Sequence, residues 1–250
     1  MGETGTNWQV WQKPEIAARF TERRRGGMLG GEAQLDTMLR LLKYVDAPQL
    51  TVLDLGCGDG ILLQTIMSAY PVSRGVALDG SCSMLEKAEV RFQGLGLFSD
   101  LVDYVEADFN MPEWMDSLPV RQFDAVVSGF AIHHSEDDRK RTLYAEINGL
   151  LNPGGVFINV EHVSSATALG EELFETAYAE NLARHRMSLG EETTLDDVLD
   201  EIRTRPDKAA NRLTPLEKQL GWLREIGFLD VDCYWKQFEL AILGGYKSGR

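Results

Sequence analysis

The sequence predicts an α/β fold: a mainly parallel sheet with helices on both faces, closed by an antiparallel hairpin and interrupted by a helical insert. Three observations carry this. Between Thr51 and Val160, short β-rich apolar runs alternate with helix-period runs, as in a parallel sheet whose crossovers are helices. Between Ser164 and Arg212 only helical periodicity continues. Beyond it, Leu229–Trp235 and Phe238–Tyr246 are β-rich and so closely joined that they can pair only antiparallel.

The first helix is expected over 32–45, where Leu35, Met38, Leu39, Leu41 and Leu42 share a face and Pro48 follows. Thr51–Leu55 is the first strand, and it runs into Gly56-Cys57-Gly58-Asp59-Gly60. A helix from Asp59 to about Tyr70 follows, with Ile61, Leu62, Ile66 and Ala69 on one side and Pro71 beyond its end. Arg74–Leu78 is the second strand and ends in Asp79; the helix after it starts near Ser81, with Ser83 and Glu86 at capping-box spacing, and buries Met84, Leu85, Ala88 and Phe92 before Gly94 and Gly96. The third strand, Leu101–Ala107, delivers Asp108 and Phe109, and the fourth is Phe123–Gly129. Ser135 and Asp138 are expected to cap a helix carrying Leu143, Ile147 and Leu150, which Asn152-Pro153-Gly154-Gly155 stops before a fifth strand at Val156–Val160.

In the insert, Leu173, Phe174, Ala177 and Leu182 form one apolar stripe, and Leu195, Val198, Leu199 and Ile202 another. Thr214-Pro215-Leu216-Glu217 then opens a helix with a cap residue, a first-turn proline and a capping-box glutamate, and Gly227 ends it. The chain therefore divides into an N-terminal helical segment (1–48), a main domain (49–163 and 213–250) and a helical cap (164–212).

With 250 residues, one catalytic domain plus a cap is the economical reading. A net charge of −14 repels polyanions and makes nucleic acid a disfavoured partner; Arg19, Arg23, Arg24 and Arg25 are expected to form a solvated helix face. Cys57, Cys82 and Cys233 have no metal-ligand spacing and fit a reducing compartment, and the start carries no apolar signal core. No run reaches membrane-spanning length, so a cytoplasmic protein with no membrane partner is expected.

The chemistry sits at strand ends. Gly56-x-Gly58-x-Gly60, between a first strand and a helix, lets a ligand approach the backbone, although glycine also serves such turns structurally. Asp79, 25 positions after Asp54, falls where nucleotide-binding sheets hold ribose hydroxyls. Asp108, followed by Phe109, is a third acid at a third strand end, and in an open α/β sheet those ends line the ligand crevice.

Taken together, VLDLGCGDG, VALDGSCSML, EADF, FDAVVSGFAIHH and LNPGGVFI resemble the class I S-adenosylmethionine-dependent methyltransferase series. The resemblance covers about 51–160 and implies a Rossmann-like, seven-stranded mixed sheet, with the terminal hairpin as strands six and seven and the seventh inserted antiparallel between the fifth and sixth. It implies S-adenosyl-L-methionine as cofactor, with Asp54, Gly56, Gly58 and Asp59 around its methionine part, Asp79 and Gly80 at the ribose, and Met84, Asp108 and Phe109 at the adenine. Gly129 and Phe130 would contact it near the sulfonium and begin the substrate site. The C-terminal third is similar to carboxy-S-adenosylmethionine synthases, but where they carry a carboxylate-binding arginine, counting back from Gly227-Phe228 places Trp222. Ordinary methyl transfer is therefore expected over cofactor carboxylation; a non-catalytic cofactor-binding subunit is the remaining alternative.

An activated methyl needs an aligned nucleophile and a dry site more than it needs catalytic residues. If the nucleophile must lose a proton, His133 is the first candidate base, with His134, His162 and Tyr178 behind it at the substrate; the histidine pair could equally cap the next helix. The expected substrate is a small molecule set against aromatic and polar cap residues such as Phe174, Tyr178, His185 and Arg186. There is no Asn/Asp-Pro-Pro-aromatic motif after the fourth strand, which disfavours amino groups of adenine or glutamine; no metal site is expected, and a homodimer is left open.

Overall fold

The computed structural model describes residues 27–70, 74–94 and 99–249; the expectations for Trp8, Trp11, the arginines from Arg19 to Arg25, Pro71 and Gly96 fall outside them. The element order is α1 (Gly31–Leu42), β1 (Thr51–Leu55), α2 (Ile61–Ala69), β2 (Arg74–Asp79), α3 (Cys82–Gln93), β3 (Val102–Glu106), β4 (Phe123–Gly129), α4 (Asp137–Leu150), β5 (Leu151–His162), α5 (Ala168–Ser188), α6 (Leu195–Thr204), α7 (Leu216–Ile226), β6 (Phe228–Gln237) and β7 (Leu240–Lys247). The seven strands form one sheet in the order β3-β2-β1-β4-β5-β7-β6. The first five pair in parallel, while β7 runs antiparallel between β5 and β6.

Alternation along each strand splits the core into two layers. Val52, Ala77, Ala125, Val127 and Ile158 meet α1, α2 and α3 through Met38, Leu42, Leu63, Ile66 and Phe92. Leu53, Leu55, Val76, Val126 and Phe157 face the other way, onto Leu143, Tyr144 and Ile147 of α4 and Leu220 and Leu223 of α7. The cap has its own cluster, in which Phe174, Tyr178 and Leu182 of α5 meet Val198 and Ile202 of α6, closed by Leu29 and Leu240.

Several local expectations are corrected. None of the three anticipated side-chain caps forms: Ser81 Oγ pairs with Ser83 Oγ, Ser135 Oγ donates to Asn110 Oδ1, and Thr214 Oγ1 donates to Asp137 Oδ1. In each case a tertiary acceptor or a neighbouring hydroxyl outcompetes the local backbone amide. Caps do form at Thr167 of α5 and at Thr194 of α6, where Asp197 completes a capping box. The α5 stripe is rotated by one residue, leaving Leu173 half exposed while Tyr178 is buried. Strand β5 begins at Leu151 rather than Val156, because the Asn152–Gly155 stretch is a bulge within the strand that pairs with β4. Phe238 belongs to the turn between β6 and β7, not to a strand.

Candidate functional site

The parallel strands deliver their carboxyl ends to one edge, where a cavity of 560 Å³ opens. It is lined by Asp54, Gly56, Gly58, Asp79, Gly80, Met84, Asp108, Phe109, Gly129 and Phe130, which are all but one of the residues expected at the cofactor. Its size is ordinary for a small-molecule site.

The turn after β1 is shaped for close approach. Gly56 has φ +70°, and a Cβ there would fall 2.3 Å from the Cβ of Ala131. Gly58 has φ +55°; a Cβ there would meet no atom within 4 Å, so its bare backbone faces open cavity. The Gly58 amide donates to Asp79 Oδ2 at 2.9 Å, and the Ser81 amide donates to Asp79 Oδ1 at 2.8 Å. Burial pushes the Asp79 carboxyl up to about 6, against the opposing pull of those two N–H bonds. Asp108 is fixed by the amide and side chain of Asn110, both donating to Oδ1 at 2.9 Å. Asp54, fully buried on the face of β1 that meets α2, accepts from the Leu63 amide at 3.2 Å. Phe130 takes a positive φ of 54°, unusual for a bulky side chain, with its amide donating to Val160 O.

Asp59 is the exception. Arg91 of α3 donates through Nη2 to its carboxylate at 2.5 Å and through Nε to its carbonyl at 2.7 Å, so its side chain braces the turn against α3 and does not line the cavity. Residues not anticipated come from the other side: Met28, Gln34 and Leu35 bring the segment before and within α1 onto the cavity. Gln34 could have been suspected as a polar residue on an apolar helix face; it is buried and donates to Leu29 O at 2.9 Å.

A second cavity, of 310 Å³, adjoins the first and shares Met28, Phe130 and His134 with it. His133, His134, His162 and Tyr178 all line it, as do Phe174 and Glu239. His133 lies in a 3-10 turn (Ile132–His134) directly after β4, and its Nδ1 is 2.7 Å from Glu161 Oε1. A carboxylate only accepts, so Nδ1 carries the proton and Nε2 keeps a lone pair. Burial first, then the charges of His162, Lys140 and Arg205, hold the His133 ring well below the ordinary imidazole range. Burial also pushes Glu161 up, opposed by the His162 amide, the Lys140 ammonium and the Asn159 amide. His134 Nδ1 lies 3.2 Å from Ala210 O, a carbonyl of the cap's returning end, and burial pulls this ring down as well. His162 Nε2 pairs with Glu239 Oε2 at 2.8 Å.

Glu161 was overlooked in the sequence although its signal is plain: it is a charged residue inside Val156–Val163, otherwise apolar but for Asn159 and His162. Of the cap residues expected at the substrate, Phe174 and Tyr178 are present, their rings stacked at 5.9 Å between centroids. His185 and Arg186 are not: Arg186 points between α5 and α6, 2.8 Å from Glu201. Trp222 lies in the core beside Tyr144 and reaches neither cavity, so counting by sequence does not locate a cofactor contact there. Among the described residues, no lysine or arginine lines the larger cavity, and no group of three His, Cys, Asp or Glu is placed to hold a metal ion.

Residues 52–155 match the family model described as "Methyltransferase domain". An uncharacterized methyltransferase of Mycobacterium tuberculosis is 35% identical over 119 residues, 48% of this chain and 54% of the relative. The chain thus spans about half the length of that relative. A carboxy-S-adenosyl-L-methionine synthase of Alteromonas mediterranea is 23% identical over 88% of the chain and 85% of its own length. In structure, human N-acetylserotonin methyltransferase in complex with SAM gives a TM-score of 0.61 at 16% identity over 99% of this chain and 60% of that one. A Methanococcus maripaludis protein described as a putative S-adenosyl-L-methionine-dependent methyltransferase gives 0.60 at 16% identity, over 100% and 97%.

The strand order and the glycine turn with strand-end acids are those of the class I methyltransferase fold, and residues 52–155 within it match the methyltransferase domain. The donor set at this cavity fits S-adenosyl-L-methionine: carboxylates for hydroxyls and an amine, bare glycine backbone, and a buried aromatic ring. Among the described residues no helix is long and apolar enough to cross a membrane.

Proposed function

We propose that this chain methylates a hydroxyl oxygen of a small molecule held in the second cavity, with His133 as general base. The observation that carries this is His133 on the wall of the cavity adjoining the cofactor's, with its Nδ1 2.7 Å from Glu161 Oε1. Bound S-adenosylmethionine supplies an activated methyl on its sulfonium. Asp79 holds the ribose, Asp108 and Phe109 with Met84 hold the adenine, and Asp54, Gly56 and Gly58 receive the methionine part. Phe130 lines both cavities and, with Gly129 before it on the cofactor side, sets the line of transfer. His133 Nε2 takes the hydroxyl proton as the oxygen acquires the methyl, and Glu161 keeps the ring in the competent tautomer. The cap supplies the far wall through Phe174 and Tyr178 and excludes water.

A cavity of 310 Å³ and a net charge of −14 both support a compact ligand over a phosphate backbone. Carboxylation of the cofactor is less well supported, despite the likeness to a carboxy-S-adenosylmethionine synthase, because no cation among the described residues lines the cofactor cavity to receive a second carboxylate.

The test is labelled-methyl transfer from S-adenosylmethionine to fractionated hydroxylated metabolites, beside bulk RNA at low and moderate salt. With the acceptor in hand, His133→Ala should lower kcat by about 10²- to 10⁴-fold while S-adenosylhomocysteine binding is kept. Methylation of RNA alone, or full turnover by His133→Ala, would refute the proposal.

A further inference from the structure

Lys140 is a lysine with no exposed surface, on α4 seven residues beyond His133, and a cation so placed requires a reason. Its Nζ donates to Thr214 Oγ1 at 2.7 Å and to the carbonyl of Arg212, with Asp137 Oδ1 at 3.8 Å. Arg212 and Thr214 are the returning end of the cap, and the Ser164 amide at the cap's departing end donates to Thr214 O. The same ammonium therefore sits where both ends of the cap meet the main domain.

From Lys140 two hydrogen-bonded paths lead to His133. The short one runs through the backbone, since the Arg212 amide donates to His133 O at 2.8 Å. The long one runs from Thr214, whose carbonyl accepts from Gln219 Nε2. Gln219 Oε1 in turn accepts from the Tyr144 hydroxyl, and that hydroxyl accepts from Asn159 Nδ2. Asn159 Nδ2 also donates to Glu161 Oε2, and Glu161 Oε1 accepts from His133 Nδ1. The two paths close a loop around one buried carboxylate and one buried ammonium. Such a network fixes geometry only if the carboxylate stays charged, because a protonated Glu161 would no longer be an acceptor on both oxygens.

We propose that Lys140 is a positioning residue for His133: its ammonium keeps Glu161 ionised and the His133 ring neutral, and ties that state to the seated cap. Removing the cation favours protonation of both partners, since a nearby positive charge opposes the imidazolium and supports the carboxylate. The other charged or titratable groups facing His133 are Glu161, His134, His162, Arg205 and Asp207; a substitution at Lys140 leaves all five residues in place, and of these Glu161 is the one whose charge the ammonium supports. The catalytic meaning of this arrangement rests on His133 being the base; the electrostatic link does not.

The test follows ring nitrogens by NMR in the full chain with labelled histidine, where four histidines make assignment by single substitution simple. Lys140→Met should raise the His133 midpoint by about one pH unit, and Lys140→Arg should restore it. Thr214→Val, which removes a hydrogen bond but no charge, should leave the midpoint in place. A folded Lys140→Met protein with an unmoved His133 midpoint overturns the proposal. Should that variant not fold, the reciprocal measurement decides: in Glu161→Gln the Lys140 Nζ midpoint should fall, and an unchanged value overturns the proposal equally. Full turnover by His133→Ala would instead sink the base assignment while leaving the Lys140 measurement intact.

Discussion

Asp79 offers a prediction whose size can be worked from the structure. Its carboxyl is raised from 3.8 to about 6, chiefly by burial. A shift of about two units corresponds to roughly 3 kcal/mol disfavouring the ionised form in the folded chain without cofactor. Because the folded pKa lies above the unfolded one, the folded chain holds a proton that the unfolded chain has released between about pH 4 and about pH 6. This group's contribution to stability is therefore greatest below that window and is lost as pH rises through it. Ribose hydroxyls donating to the carboxylate favour its ionised form. Cofactor binding below about pH 6 should then expel a proton, and affinity should climb with pH and level off above it. A hydrogen bond to a charged acceptor is worth on the order of 1.5 to 3 kcal/mol, one to two decades in affinity. Titration calorimetry with S-adenosylhomocysteine, in buffers of differing ionisation enthalpy between about pH 5 and pH 8, measures both quantities. Asp79→Asn should lose about one to two decades and abolish the proton release. Equal affinity in the variant, with no proton release in the parent, would refute the ribose assignment and the burial argument behind it.

Two further outcomes are expected. Gly56→Ala combines a positive φ with a Cβ 2.3 Å from that of Ala131. It should cost about 2 to 4 kcal/mol, or roughly 5 to 15 °C in Tm by thermal melt, and adding Ala131→Gly should recover part of this; a double variant no better than the single would show that φ strain alone is responsible. Hydrogen exchange should show Ala168–Thr204 gaining protection when S-adenosylhomocysteine and acceptor are both bound, whereas equal protection in every state would make the cap a fixed buttress rather than a lid.

The sheet, and the strand-end acids that line the larger cavity, were legible in the sequence because each acid follows an apolar run and marks its own position. Strand β4 was readable for the same reason, whereas the place of β7 between β5 and β6 came only from the family resemblance, local pattern giving no more than an antiparallel hairpin. Side-chain partners were not. Asp59 sits in the glycine turn like a ligand contact, and only the fold brings Arg91, 32 residues away, onto it. Thr214 has every local mark of a helix cap, yet Lys140 and Asp137 reach it across more than seventy residues. Glu161 and Glu239, which pair with His133 and His162, are 28 and 77 residues from their partners, so the lone charge at Glu161 shows in the sequence but the histidine it meets does not.

Met28 touches both cavities, while Leu29 beside it is packed in the cap's apolar cluster and the Gly27 carbonyl accepts from Asn181 of α5 at 2.9 Å. One short stretch of backbone therefore belongs at once to the walls of both cavities and to the cap's foundation. Any displacement that one ligand imposes on it is felt by the other, so the two occupancies are thermodynamically linked, and linkage is symmetric. Whatever free energy the acceptor gains from finding the cofactor in place, the cofactor gains in equal measure from the acceptor.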